Sequence, residues 1–501
     1  MIARRSITLT TNRVAALLAA IAALALAAQV GLGASVLVVL LATIAVGAGL
    51  LAFLMQGAYS IGGWFALIYV GGNVLVGLVA KTLMGQPLET HLYAPVLSFV
   101  VVAASSIALL AALLLAARLN VGRPLLTKVP NAERLAWLSW GSFVLGVGFW
   151  FLNQHFQDPG GSGFGGFAVF RDLLLMAVIA RTALILQRTD DRRSFDSRLA
   201  IILSVSVALG LLTNSKTYAA YPVVSYFATI LFFRRGLTVV HLVTLAVALV
   251  VFVRVVTPLI QAWRYLGIQR MPAAERVTLM QRNIADLFNG TSFQKYALLA
   301  TLDFRGGYYN YFGGAGRGQM LLGRYASVQQ IDPVVAQVGL QGPMGGAAVW
   351  PAFARQLPSV LYPNKPRFSD AYSILVHFGL VDPAGGKYPT LPLAGQAFAA
   401  YGFSGVALIP FLAFLGMFVA LKKFGWQLYH NVFAIFVLSE FVIVYASQGD
   451  LAQYLGLVVR GLPAFFVVLW LLTHGPRFRL RRAYPAFVPV QVTIGAKDGR
   501  P

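Results

Sequence analysis

The chain has no cysteine. Disulfides, iron–sulfur clusters, thiolate metal sites and thiol nucleophiles are therefore excluded. Charge is scarce too: Asp, Glu, Lys and Arg make up 11% of residues, against 58% hydrophobic. No water-soluble domain of ordinary size has that balance. Acidic residues are the rarer sign, 16 against 39 basic, which leaves a formal net charge of +23. There is no glycine-rich nucleotide loop followed by lysine and no HExxH metal motif. Neither ATP use, a metal, a cofactor nor a cytoplasmic catalytic domain is expected. No internal repeat is visible, which argues against the duplicated architecture of many transporters.

What the chain has instead is apolar runs, with a mean hydropathy of +0.74. A hydrocarbon core takes about 20 residues of helix to cross. About twelve runs fit, at 14–31, 34–55, 60–80, 93–117, 135–152, 167–187, 199–213, 217–233, 236–257, 397–421, 428–446 and 454–473. The pair 199–213 and 217–233 is short and reads equally as a hairpin that crosses only partway. The expected fold is an all-α polytopic membrane protein. Its parts are a nine-span bundle over 1–257, a large loop over 258–395, three further spans over 396–473 and a basic tail over 474–501. The first 30 residues, with Arg4, Arg5 and Arg13 before an Ala/Leu run, mimic a signal peptide. Because a second apolar run follows at once, an uncleaved first span is expected.

Basic residues fix the orientation. With the N-terminus inside, the inner segments and the tail hold 21 Lys and Arg, while the short outer loops hold only Lys81 and Lys216. By the positive-inside rule both termini are cytoplasmic and the large loop is outside. Most of the +23 is thus topological, and nucleic acid is not an expected partner.

A long exported loop does not obey that rule, so its own charge is free to serve function. Between Pro258 and Gly395 there are twelve basic and six acidic residues. Any one of these arginines reads most simply as solvated surface. The stretch from Trp350 to Arg367 reads differently, because Pro351, Pro358, Pro363 and Pro366 stiffen it while it carries Arg355, Lys365 and Arg367. Arginine grips phosphate with two parallel bonds and lysine adds a point charge, so a phosphate or diphosphate ligand is expected there. Asp370, His377 and Asp382 follow as the nearest candidate proton acceptors.

Ionisable residues within spans are costly and are functional candidates. Arg171, Asp172, Lys216, Arg254, Glu440 and Arg460 all fall toward the outer level, where Lys216, Arg254 and Arg460 could form the floor of an anion site. A Glu440–Arg460 pair is the plainer alternative. Arg181, nearer the inner side, is expected to snorkel. Gly160–Gly166 reads as a flexible linker, and Asn289-Gly-Thr291 as a glycosylation sequon without consequence outside a eukaryotic secretory route.

Three stretches resemble the Wzy-type oligosaccharide repeat-unit polymerases of O-antigen and exopolysaccharide synthesis. These are the Asn214-Ser-Lys216 turn, Arg355-Gln-Leu-Pro358 with Pro363-Asn-Lys365-Pro366, and Thr390 through Gly395-Gln-Ala-Phe to Tyr401-Gly402-Phe-Ser-Gly405. Many spans with one large loop late in the chain are similar as well. The resemblance implies a C-type membrane glycosyltransferase in a bacterial inner membrane, with the loop periplasmic. It also implies polyprenyl-diphosphate-linked oligosaccharides as substrates, and the chain-length regulator and flippase of the same pathway as partners. One departure is Gln396, where the pattern leads one to expect an acid. A related ligase and a twelve-span transporter are the alternative functions.

Overall fold

The structure is a computed structural model. It describes residues 7–8, 10–126, 131–155, 169–234, 236–257, 326–357, 361–362, 370–381 and 390–474, with isolated positions between 259 and 312. The Gly160–Gly166 linker, Asn289, and the basic tail from 475 onward lie outside these residues, as do Lys365, Arg367 and Asp382.

The described chain is helical apart from two two-residue strands, β1 (Ile7–Thr8) and β2 (Gly236–Leu237), which pair antiparallel. The long helices are α1 (Thr11–Gly31), α2 (Val36–Gln56), α3 (Ile61–Leu83), α4 (Pro95–Arg118) and α5 (Ala132–His155). They continue with α6 (Leu173–Arg188), α7 (Ser197–Leu212), α8 (Lys216–Arg234) and α9 (Val239–Val256). Three short helices belong to the large loop: α10 (Val328–Gln341), α11 (Trp350–Ala354) and α12 (Asp370–His377). The chain then returns through α13 (Leu393–Phe424), α14 (432–448) and α15 (Leu451–Thr473). Among the described residues eight helices are long and apolar enough to cross a membrane: α1–α5, α9, α13 and α15. This is an all-α polytopic membrane protein. Helix α7 and the first part of α14 are apolar but shorter, and α6 and α8 do not reach the same combination of length and hydropathy.

Leu- and Ala-rich sequence favours these helices, and polar residues terminate them. Asp196 accepts from Leu199 N at 2.8 Å at the start of α7. Asn431 accepts from Phe433 N and Ala434 N at the start of α14. Thr238 with His241, and Asp450 with Gln453, form reciprocal caps on α9 and α15. Between α7 and α8, Asn214 takes a positive φ of 54°, a conformation Asn tolerates better than most residues. The motif residue is thus explained first by the turn it makes. Gly210 permits the hairpin to close, since a Cβ there would lie 2.5 Å from the Tyr218 carbonyl carbon.

The connections divide between two ends. At one end β1 pairs with β2, Ile61 N donates to Trp426 O at 3.1 Å, and Leu125 N donates to Lys423 O at 2.8 Å. There Lys422 Nζ donates to carbonyls at and just past the end of α4, those of Ala116, Ala117 and Leu119. The segments gathered at this end are those the charge count assigns to the inner side. At the other, loop end, Ser35 N donates to Glu89 Oε1 at 2.6 Å and the described parts of the large loop dock.

Several expectations are corrected. Arg181 does not snorkel: it is buried and pairs with Asp196. Lys81 is not a loop cation but is fully buried in α3, donating to Gln86 Oε1 and Thr90 O over the Tyr311 ring. The chain re-enters helix at Leu393, before Gly395, and the helix breaks at Tyr401 and Gly402, where Gly402 has φ 61° and ψ −139°. Glycine carries that conformation at no steric cost. The motif residues Tyr401–Gly405 therefore divide α13 into a buried first piece and a longer second one.

Asp332 of α10 is the clearest joint. It is buried and accepts from Tyr93 N at 2.6 Å, Ala94 N at 2.9 Å and Ser98 Oγ at 2.9 Å. It thus caps α4 from 234 residues away. Asp332→Ala would strand three donors, at on the order of 1–3 kcal/mol for each buried one. A marked fall in the unfolding midpoint of the purified protein in detergent is expected, and an unchanged midpoint would show that Asp332 is not a cap.

Candidate functional site

The described loop segments complete the bundle at its loop end. Helix α10 is buried along most of its length. Ser327 N donates at 2.9 Å to Gly72 O, a carbonyl within the π-turn Gly71–Leu75 of α3. Met344 N donates to Ala399 O at 2.8 Å. Gln396 is fully buried and uses both ends of its amide: Nε2 donates to Ala348 O at 3.1 Å and Oε1 accepts from Leu451 N at 2.9 Å. An acid would lose the donor, which is the physical reason a glutamine stands there.

On this platform Arg355 and Gln356 follow directly on α11. Gln356 Nε2 donates to Ala352 O at 3.1 Å and to Ala452 O at 3.0 Å, while its Oε1 accepts from Arg460 Nε at 3.1 Å. One side chain therefore ties the loop to the first turns of α15 and orients Arg460. Arg355 and Arg460 come close enough for their charges to oppose each other. Asp450, the cap of α15, is the nearby carboxylate: burial pushes its carboxyl up, and the Gln453 N–H and the Arg355 charge pull it back. Arg460 is exposed and Arg355 half-exposed, so an anion can reach both guanidinium groups. Arginine suits a phosphate oxygen pair.

A second polar cluster lies beneath. Asp172 and Glu440 are both buried and lie close enough for their charges to oppose each other. Arg171 Nε is 3.6 Å from Asp172 Oδ1, and its guanidinium hydrogen-bonds Tyr218 and stacks 3.8 Å from that ring. Glu440 therefore meets Asp172 and Arg171, not Arg460 as the simple pair required. Tyr445 lies within electrostatic reach of both Glu440 and Arg460.

Of the other expected site residues, Lys216 is half-buried at the start of α8, and Arg254 is exposed on the π-turn of α9, a helix with no buried residue. Asp370 opens α12 and His377 is exposed on its last turn, its ring 5.0 Å from that of Phe378. The structure brings Arg355 near Arg460, and Asp172 near Glu440. Sequence reasoning missed Gln356, Asp450 and Tyr218. Only Asp450 left a signal, the Asp-x-x-Gln spacing of a capping box. Comparisons with family models, with curated proteins and with solved structures gave no match.

Gln396→Glu replaces a donor with an acceptor opposite the Ala348 carbonyl. A loss on the order of 1–3 kcal/mol is expected, read as a lowered unfolding midpoint. A variant as stable as the parent but inactive would instead argue for a chemical role at this position.

Proposed function

We propose that the protein is a membrane glycosyltransferase that polymerises polyprenyl-diphosphate-linked oligosaccharide repeat units at the periplasmic face of a bacterial inner membrane. In this reading α6, α7, α8 and α14 complete twelve spans. The basic end is cytoplasmic and the loop end periplasmic, as the distribution of Lys and Arg favours.

The observation that carries the reading is the approach of Arg355, from the loop, to Arg460, from the last long helix, with Gln356 bonded to both sides of the joint. In the reaction an acceptor hydroxyl oxygen bonds to the anomeric carbon of the donor. The bond from that carbon to the diphosphate oxygen breaks, its electron pair stays on the diphosphate, and the hydroxyl proton departs. Negative charge grows on the leaving group, and fixed donors aimed at it lower the barrier. Arg355 and Arg460 fill that role here, with Lys216, Lys365 and Arg367 as the remaining proposed cations; Arg254, exposed on α9, is not joined to them by any contact among the described residues. Asp370, His377 and Asp382 remain the proposed proton acceptors, and the exposure of His377 leaves it accessible to a substrate hydroxyl.

The test is polymer length in a strain that depends on this protein. Arg355→Ala should reduce polymerisation by roughly 10²–10³ at an unchanged level of membrane protein. Arg355→Lys should recover only part of it, because charge remains and the two-bond geometry does not. Polymer of normal length in the Ala strain would overturn the assignment, and transfer of glycan to a lipid core without lengthening would identify a ligase.

A further inference from the structure

We infer that α11 and its continuation to Leu357 form an interfacial element of the large loop, whose apolar side lies among the acyl chains of the leaflet at the loop end. Its partner is the bilayer itself. The inference rests on the membrane fold and not on the proposed reaction.

Local winding supplies the first argument. Arg355 N donates to Pro351 O at 3.0 Å, Gln356 N to Phe353 O at 2.9 Å and Leu357 N to Ala354 O at 3.3 Å, so the helical path of α11 runs on to Leu357. Trp350, Phe353 and Leu357 recur along it at helical spacing, which puts them on one side. They are 57%, 48% and 39% exposed, and Leu361, which follows, is 71% exposed. The other side faces the protein: Ala352 and Ala354 are fully buried, and Gln356 is bonded to α15. The side turned away from the bundle is thus the apolar one. A turn bathed in water has the reverse pattern, whereas one lying in a membrane interface sinks its apolar side into the acyl boundary.

Depth is an independent argument. Helix α15 has 23 residues, about 34 Å of helix, against roughly 30 Å of hydrocarbon core. With Thr473 at the inner boundary, the outer boundary falls within its first turn. Gln356 lies against that level: it donates to Ala452 O at 3.0 Å, and a Cβ on Gly456 would be 3.5 Å from its Oε1. Helix α13 gives the same answer. From Lys422 at the inner end, about 30 Å of helix leads to the break at Tyr401–Gly402, and just beyond it Met344 N donates to Ala399 O at 2.8 Å. The loop therefore meets both helices at the edge of the hydrocarbon, not above it. Along the spans themselves Phe403 and Leu408 of α13 and Val459 and Val467 of α15 are exposed, as a surface covered by lipid requires. Val459 adjoins Arg460, which Gln356 holds, so the apolar side of α11 continues that surface. Tryptophan is the usual anchor at such a boundary.

The test exploits the absence of cysteine, which lets one spin label be placed at a time. Phe353→Cys, Leu357→Cys and Leu361→Cys are labelled separately in the full-length protein, purified into phosphatidylcholine nanodiscs. Leu408→Cys on α13 is the lipid-facing reference, and Asn120→Cys, exposed just after α4 at the inner end, is the aqueous one. Collision of each label with oxygen, which concentrates among acyl chains, is compared with collision with a water-soluble nickel chelate. The oxygen-to-nickel ratio at the three loop positions should match that at Leu408→Cys and exceed that at Asn120→Cys several-fold. A ratio like that at Asn120→Cys would overturn the inference, because the side would then face water. Low collision with both reagents would overturn it as well, by showing that a second copy or another segment of this chain covers the side. Should one variant fail to fold, the other two positions decide.

Discussion

A peptide group withdrawn from water into an apolar bundle costs several kcal/mol unless it finds a partner inside the protein, and the joint between loop and bundle is built on that constraint. Asp332 satisfies the first N–H groups before α4, Ser327 satisfies a carbonyl in a π-turn, and Gln356 and Gln396 satisfy groups at the start of α15. Asp332 therefore finishes a helix end that would otherwise be bare, while Ser327 and Gln356 bond the loop to carbonyls within the bundle. Pulling the loop away would expose all of these groups together, so the loop and the helices beneath it act as one framework. The position of Arg355 relative to Arg460 follows from that framework.

The π-turns serve the same framework. Four occur in the described residues, at Gly71–Leu75, Phe252–Val256, Leu438–Val442 and Leu457–Gly461. Three of them carry the ionisable residues Arg254, Glu440 and Arg460, and the fourth carries Asn73, whose Nδ2 donates to Tyr69 O. A π-turn inserts one residue into a helix and disturbs its carbonyl ladder, and such turns are concentrated at functional positions. The Gly72 carbonyl shows the use of that disturbance, since it accepts a bond from the loop. Polar side chains thus sit where the helices have already departed from regular geometry.

The amino-acid pattern made the helices legible because hydropathy and length act locally: the runs at 34–55 and 93–117 reappear as α2 and α4 with ends shifted by a few residues. It also made legible the grouping of the basic connections, which is a matter of charge along the chain. It did not reveal the break at Tyr401–Gly402, because a glycine next to a tyrosine is equally at home inside a membrane helix. Partners distant in sequence were invisible for a different reason. Nothing local marks Asp332 as the cap of α4, Asp196 as the partner of Arg181, or Gln356 as the link to Arg460. The outer-level charges looked like one set; packing separated them into a buried acidic pair with Arg171 and an exposed pair of arginines, and left Arg254 on an outer face.

That separation has a physical logic. Two guanidinium groups held near each other repel, and the arrangement persists only if the framework or a ligand offsets the repulsion. Gln356 holds Arg460 by its Nε. Asp450 offsets only part of the charge, being one carboxylate against two guanidinium groups. The arginines therefore retain donors and positive charge, and beside them Val459, Trp350, Phe353 and Leu357 expose apolar surface. The proposed substrate, with a doubly anionic head and a long hydrocarbon tail, would meet both demands at once: its head would pair with the arginines and its tail would cover the apolar side chains. A small soluble anion would meet only the first. The juxtaposition of charge and apolar surface at this edge of the bundle is what supports the proposed lipid-linked diphosphate over a free phosphate.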